Sequence, residues 1–526
     1  MIQKRRILTN ATSSVVQIAI SGISLFFLYK FLLETIGITQ LGIWSLVLAM
    51  SSMIQVANFG LTGSIVKNIA DYDALGDKRA IAHAIQTAAI SIAFLSLALI
   101  ACAYPGAKYY FGFAIEGHAY QDALEVLPLA LVAFWILMVT SIYQSGLYGC
   151  QLIAQRNGIL IIESISHLVL CIYLAPRYGL LGLAYARVAQ NCLTLMASVI
   201  LLKRHLPQLP LFPYRWDKKL FKEMIGYATS FQVISLLTML SDPVTKALLG
   251  RFGSISMVGY FEMASKLVQQ LRSLIVNANQ VLVPTFAHLK QLDPRRIPTL
   301  YLTSYHLISY LSLAGFGLLA ICAPLVSDLW VGGYQPFFLW STIVLCAGWL
   351  INTLSVPAYF ACMGTGDMRI NVVAHIVMTI LNIFLAVIFG WFFGGLGVVL
   401  SWGIALALGG ILVNILFCRA NRIPFGNLLP GPVRILTSCC IAGIAVAYLI
   451  WVSLPEASEA LTLKFNLSLK RQSFISSGAM ILVYIGFMSG PLWRHPSRKD
   501  LQRLLQEALS GARVESGVQP EFKVKG

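Results

Sequence analysis

Apolar runs of about 20 residues follow one another from one end of this chain to the other, each long enough to cross roughly 30 Å of hydrocarbon as a helix. Inside a bilayer every backbone N–H and C=O must be satisfied within the structure, and helices do this segment by segment. The composition agrees. With 58% hydrophobic residues, only 11% charged residues and a mean hydropathy of +0.76, the chain carries far more apolar surface than a soluble core could hide. The expected fold is an all-α polytopic membrane protein of about fourteen transmembrane helices. The spans fall at 8–30, 39–60, 82–104, 124–147, 158–176, 179–202, 224–248, 254–280, 301–327, 336–362, 370–392, 394–418, 434–453 and 473–492.

Lys4-Arg5-Arg6 before the first run resembles a signal-peptide start, but Asn10, Ser13, Ser14 and Gln17 interrupt that run and no clear cleavage site follows. It is read as a retained first span. The ten cysteines lie within or at the edges of apolar runs without metal-ligand spacing, so neither disulfides nor a metal site are expected.

An even number of spans puts both termini on one side of the membrane. Placing the N-terminus in the cytoplasm assigns most of the 38 Lys and Arg residues to cytoplasmic connections, as the positive-inside bias requires. The net charge of +17 is then a topology signal and an attraction to anionic inner-leaflet lipid, not a nucleic-acid footprint. The densest basic stretch, Lys203-Arg204-His205 through Arg215, Lys218, Lys219 and Lys222, also holds Pro207, Pro210 and Pro213, and reads as a linker between two halves.

Those halves look related. Gly42-Ile43-Trp44 opens the second span as Gly259-Tyr260-Phe261 opens the eighth, and Gly182-Leu183-Ala184 matches Gly397-Val398-Val399; the offsets are 217 and 215 residues. A repeat of six spans is parallel, a known transporter plan. The expected organisation is a lobe at 1–205, a basic linker at 206–222, a second lobe at 223–422, two further spans within 423–495 and a cytoplasmic tail at 496–526. In the tail, Leu501, Leu504, Leu505 and Leu509 fall near one face of a possible surface helix.

Ionisable residues inside spans are costly and are the default functional candidates. Asp242 and Lys246 lie on span seven, Glu262, Lys266 and Arg272 on span eight, Arg187 on span six, and Glu163 and His167 on span five. Asp242/Lys246 and Glu262/Lys266 are spaced for intrahelical pairs, with Lys246 near a helix end where its side chain can snorkel. Arg272 has no acid three or four positions away, so its charge must be met by a ligand, by water, or by Glu163 or Glu262 across helices. A guanidinium can grip a diphosphate with two hydrogen bonds. Gln269, Gln270, Asn277 and Asn279 make span eight polar enough to line water, as Gln17, Gln55, Asn58 and Gln190 do in the first half. His167 and His375 read more readily as packing residues than as proton relays. Pro243, Pro284, Pro324 and Pro357 are expected to bend or end their spans. No P-loop, nucleophile elbow or zinc-protease motif occurs, and no cofactor is expected, which favours a transporter over an enzyme or an ATP-driven pump.

Phe59-Gly60-Leu61 with Ile65-Val66 and Ala70, and Gly259-Tyr260-Phe261 with Ala264, Lys266-Leu267 and Pro284-Thr285-Phe286, resemble the polysaccharide-export branch of the multidrug/oligosaccharidyl-lipid/polysaccharide superfamily, and within it the Wzx-type flippases of O-antigen and exopolysaccharide units. The resemblance implies two parallel six-helix lobes in a V shape around a central cavity, two C-terminal helices forming a groove for a lipid tail, and alternating access in the bacterial inner membrane. It implies an undecaprenyl-diphosphate-linked oligosaccharide as substrate, with polymerase machinery as a candidate partner. The diphosphate-holding role carries onto Arg272 and Lys266; Arg187 is added from its own position. Span one departs from the related lipid II flippases in having no basic residue between Arg6 and Lys30.

Overall fold

A computed structural model of the protein describes residues 2–58, 61–226, 229–280, 282–465, 469–499 and 502. Fifteen α-helices and no strand occur among the described residues: α1 (Ile2–Ser52), α2 (Leu61–Ala74), α3 (Lys78–Ala114), α4 (His118–Gly149), α5 (Ile153–His205), α6 (Lys218–Gly226), α7 (Thr229–Phe252), α8 (Ile255–Ala278), α9 (Leu282–Leu292), α10 (Ile297–Val326), α11 (Pro336–Thr353), α12 (Val356–Thr365), α13 (Arg369–Ala420), α14 (Gly431–Phe465) and α15 (Leu469–Arg494). The leucine stripe of the tail lies outside the described residues, apart from the start of that helix near Ser497.

Nine helical segments among the described residues are long and apolar enough to cross a membrane. Three of them, α1, α5 and α13, are each two spans joined at a glycine with non-helical backbone, at Gly37, Gly179 and Gly394. Two further helices of 24 residues, α7 with Asp242 and Lys246 and α8 with Glu262, Lys266 and Arg272, are long enough to cross as well. Counting the bent helices twice and adding these two gives the fourteen crossings of the sequence reading. Two expected spans are broken. The second gives way to a 3-10 turn at Met53–Asn58, and the tenth is interrupted between α11 and α12. The prolines sort into two kinds. Pro243 and Pro324 sit inside helices, the latter just before a π-helical turn at Ser327–Val331, whereas Pro284 and Pro357 occupy the first turns of α9 and α12, where a missing N–H leaves no helical bond unmade.

The sequence repeat recurs in the packing. Gly179 and Gly394 adopt nearly the same left-handed backbone, with φ of 55° and 59°. Three residues after each bend, a glycine lets the returning span lie against the preceding one: a methyl group on Gly182 would strike the Leu174 carbonyl, and one on Gly397 the Phe389 carbonyl. Each of these partners is offset by 215 residues. The 217 offset governs the contact between the halves. Gly42 packs on Ile255, and Gly259 on Ile38, whose carbonyl would stand 2.6 Å from a methyl group there. Thr39 Oγ1 lies 3.2 Å from Ser256 Oγ. Residue i of one half meets residue j of the other while their repeat equivalents meet in return, which is the pattern of a contact across a two-fold axis. Gly182→Val and Gly397→Val are expected to lose most folded protein, because backbone cannot retreat from backbone. Gly63→Ala, with open space at that position, should be neutral or more stable by up to ~1 kcal/mol. Thermal unfolding in detergent, read against the yield of monodisperse protein, checks all three.

The same end of the bundle is sealed at other points. Gly250 packs on the Ala114 carbonyl, and Arg251 Nη1 lies 3.0 Å from Glu116 Oε1. The connection after α5 runs back along α3, where the Tyr214 and Arg215 backbone N–H groups donate to Gln86 and the Trp216 indole donates to Ser91 Oγ at 2.9 Å. Asp217 then accepts from the Leu220 and Lys219 backbone N–H groups at the start of α6, and these donors hold its carboxylate below the ordinary range. The last two helices form a separate small core with α10, made of Leu313, Ile321, Leu436, Cys440, Ala447, Met480, Tyr484 and Met488. Tyr484 OH donates to the Leu313 carbonyl at 3.0 Å and Tyr448 OH to the Ala320 carbonyl at 2.8 Å, which ties α15 and α14 to α10.

Candidate functional site

The two intrahelical pairs of the sequence reading form, and a third contact joins them. Lys246 Nζ stands 2.7 Å from Asp242 Oδ2 on its own helix and 2.8 Å from Glu262 Oε2 on α8; Lys266 Nζ lies 3.4 Å from Glu262 Oε1. Lys246 therefore does not snorkel. Its side chain is 5% exposed and Glu262's 4%, while Asp242 and Lys266 are 44% and 39% exposed. Burial explains the grouping: a lone charge at that depth is prohibitive, and two acids with two bases sum to zero. Tyr29 OH donates to Glu262 Oε1 at 3.0 Å and Ser45 Oγ donates to Glu262 Oε2 at 3.1 Å, both from the first half. One carboxylate thus gathers two ammonium groups and two hydroxyls from four spans.

Tyr29 and Ser45 escape a search for charged residues, yet the repeat points to both. Ser45 is offset by 217 from Glu262, and Tyr29 by the same amount from Lys246. The cluster lies on the two-fold contact, with its charges confined to the second half.

Arg272 is elsewhere. It is six residues beyond Lys266 on α8, about 120° further round the helix, and its guanidinium carbon lies 4.3 Å from the centre of the Trp349 ring on α11. It forms an ion pair with neither Glu163 nor Glu262 among the described residues, and its Nε, like Trp349 Nε1, is buried without a hydrogen-bond partner. Tyr359 and His375 stand close by, with ring centroids 6.0 Å apart, and His375 Nδ1 is 2.7 Å from the Asn371 carbonyl. Two buried donors, Arg272 Nε and Trp349 Nε1, therefore lack an acceptor here among the described residues.

Arg187 Nη1 donates to Gln190 Oε1 at 3.1 Å and Gln190 Nε2 to Thr194 Oγ1 at 3.2 Å, and Glu163 of span five stands near enough to Arg187 to feel its charge without a direct ion pair among the described residues. Ser21 of span one meets Ser164 at 2.7 Å, and Gln270 Nε2 donates to the Ile18 carbonyl at 3.0 Å. Gln269 bonds Ser265 within α8, and Asn277 is exposed, accepting from Gln280. His167 lies beside Cys171 at 3.8 Å. Trp330, in the π-helical turn, carries no signal in the sequence: its indole donates to the Phe26 carbonyl at 2.8 Å and its ring stacks on Phe26 at 5.3 Å. Span one is thus fastened to the second half at Ile18, Phe26 and Tyr29, and Ile38, just past the Gly37 bend, adds a contact at the start of span two.

A family model described as polysaccharide biosynthesis protein matches residues 40–333. A comparison with curated proteins finds no match. Among solved structures, an inward-facing multidrug resistance MATE family transporter of the MOP superfamily superposes with a TM-score of 0.68 at 16% identity, over 78% of this chain and 98% of its own. The lipid II flippase MurJ, in an inward closed conformation, superposes with a TM-score of 0.67 at 12% identity, over 94% of this chain and 99% of its own. A mutant of the Vibrio cholerae MATE transporter VcmN reaches 0.58 at 12% identity, over 82% of this chain and 100% of its own. These likenesses show the fold, that of an all-α multi-pass membrane protein.

Proposed function

The chain belongs to the polysaccharide biosynthesis protein family, and from that membership we propose that it is a flippase carrying undecaprenyl-diphosphate-linked oligosaccharide from the cytoplasmic to the periplasmic leaflet for surface polysaccharide assembly. The observation that carries this reading is Arg272: a half-buried arginine whose Nε is fully buried, with no acidic partner among the described residues, lying over Trp349, whose indole N–H also lacks an acceptor. A cation kept in a membrane protein without a counter-charge is suited to an anionic ligand. Arg272, Lys266 and Arg187 are assigned to the diphosphate; Asp242, Lys246, Glu262, Glu163, Gln269 and Asn277 are the polar lining and coupling candidates. The extent of the fold favours a lipid-linked cargo over a small-molecule exporter, because the lipid II flippase covers nearly the whole chain whereas the multidrug transporter leaves about a fifth unmatched.

Lobes at 1–205 and 223–422, joined by the linker at 206–222, rock about the two-fold contact; 423–495 flanks the lipid tail and 496–526 remains in the cytoplasm. Both termini face the cytoplasm, so the sealed end at Gly37, Glu116 and Arg251 is periplasmic. A saccharide head cannot shed its water to enter hydrocarbon, and a hydrated cationic cavity removes that need while the tail stays in lipid. The protein transports and makes no covalent change.

Lipid analysis of cells lacking the protein tests this. Complete lipid-linked repeat units inaccessible to an impermeant glycosidase, accumulating on the cytoplasmic face, are expected. Units that reach the periplasm unpolymerised would indicate a polymerase or ligase, and unchanged lipid-linked sugars would indicate a small-molecule exporter.

A further inference from the structure

We propose that Glu262 is the latch that holds the two halves shut at the sealed end, that Tyr29 and Ser45 are the first-half residues it holds, and that a diphosphate taking Lys266 releases it. The inference rests on the transport reading above and adds a gating part to it.

Three observations converge. The carboxylate sits where the halves meet about their two-fold contact, since Ser45 and Glu262 are repeat equivalents in direct contact. It gathers four side chains at this level: Lys246 and Lys266 from the second half, Tyr29 and Ser45 from the first. Separating the halves must strip both hydroxyls from it, and a buried carboxylate that loses donors is strongly destabilised, so the closed arrangement is favoured while Glu262 keeps its charge.

The partners are unequal. Lys246 is buried and bridges Asp242 and Glu262 at 2.7 and 2.8 Å, so it is fixed to its own half. Lys266 is the longest contact, at 3.4 Å, and 39% exposed, which makes it the one base an entering anion can recruit without burying itself. A diphosphate drawn to Lys266 brings negative charge beside Glu262 and removes one of its donors. Both effects weaken the closed state relative to the open one, and a ligand shifts an equilibrium only through such differential contacts. Gln270 and Trp330 fasten span one at its own backbone carbonyls, contacts that no anion at Lys266 would disturb. The release is therefore assigned to Glu262 alone.

Spin labels on Thr39→Cys and Ser256→Cys, in a full-length chain with the ten native cysteines replaced and reconstituted in nanodiscs of zwitterionic lipid, report the sealed end directly, since those hydroxyls are 3.2 Å apart. Glu262→Gln, and separately Tyr29→Phe, should raise the ratio of separated to close label pairs about tenfold, the factor for losing one hydrogen bond to a charged group. Inorganic diphosphate should shift the parent protein in the same direction, and Lys266→Gln should remove that response. Unchanged distances in Tyr29→Phe, which keeps all four charges and tests the latch even where Glu262→Gln does not fold, would overturn the proposal. So would a parent protein indifferent to diphosphate, or one opened by phosphatidylglycerol nanodiscs instead. No saccharide lipid is used, so these outcomes are separable from failure of the flippase assay.

Discussion

Arg272→Ala is expected to reduce export of the lipid-linked saccharide by roughly 10- to 100-fold, the loss that follows from removing a charge-assisted contact to a diphosphate, while leaving protein in the membrane near its normal level. The two halves of that expectation have different physical origins. The fold loses only the stacking of Arg272 on Trp349, worth about 0.5–2 kcal/mol, and no acid is orphaned because none is paired with it among the described residues. The ligand loses a planar fork that holds two phosphate oxygens at once. Arg272→Lys keeps the charge without the fork and should fall between alanine and the parent. Export is read as the rate at which lipid-linked units become accessible to an impermeant glycosidase, with the amount of membrane-inserted protein measured alongside. Normal export by Arg272→Ala would remove this residue from the mechanism.

Much of the fold was legible because a bilayer leaves few alternatives. Hydropathy marks most of the fourteen crossings plainly, and α8, with three charges in 24 residues, is marked by the cost of those charges instead. What hydropathy does not show is how two adjoining spans are joined. The breaks read at 176/179 and 392/394 fall beside Gly179 and Gly394, but nothing in the apolar run says that one glycine with positive φ makes the turn from each span to the next. The site was half legible. Spacing on a helix predicts the Asp242–Lys246 and Glu262–Lys266 pairs, because both partners lie on one element. It says nothing of Lys246 reaching Glu262, which depends on how α7 and α8 return against each other. The hydroxyls of Tyr29 and Ser45 carry no charge to draw notice, but the repeat offset seen at Gly42 and Gly259 leads to both. Trp349 beneath Arg272 and Trp330 against Phe26 had no such guide: an aromatic residue in a membrane span is ordinary, and only tertiary packing gives these two their partners.

Lys246→Met should be among the most destabilising single changes in the protein, costing about 3–5 kcal/mol, as for any buried ion pair broken from one side. The exposures decide which partner suffers. Asp242, at 44%, can recover water when its lysine is gone, whereas Glu262, at 4%, cannot, and keeps only the longer contact to Lys266 with two hydroxyls. The damage is therefore an unpaired carboxylate, and neutralising that carboxylate should mend it. Lys246→Met combined with Glu262→Gln removes one charge of each sign, leaves Asp242 and Lys266 half exposed, and still offers Tyr29 and Ser45 an amide oxygen. The double variant should be more stable than Lys246→Met alone, whereas Lys246→Met with Asp242→Asn should recover little. Thermal unfolding of the purified protein in detergent ranks the three. Equal recovery by both second changes would mean that net charge alone matters; recovery by Glu262→Gln alone would locate the cost at the one carboxylate on which the two halves converge.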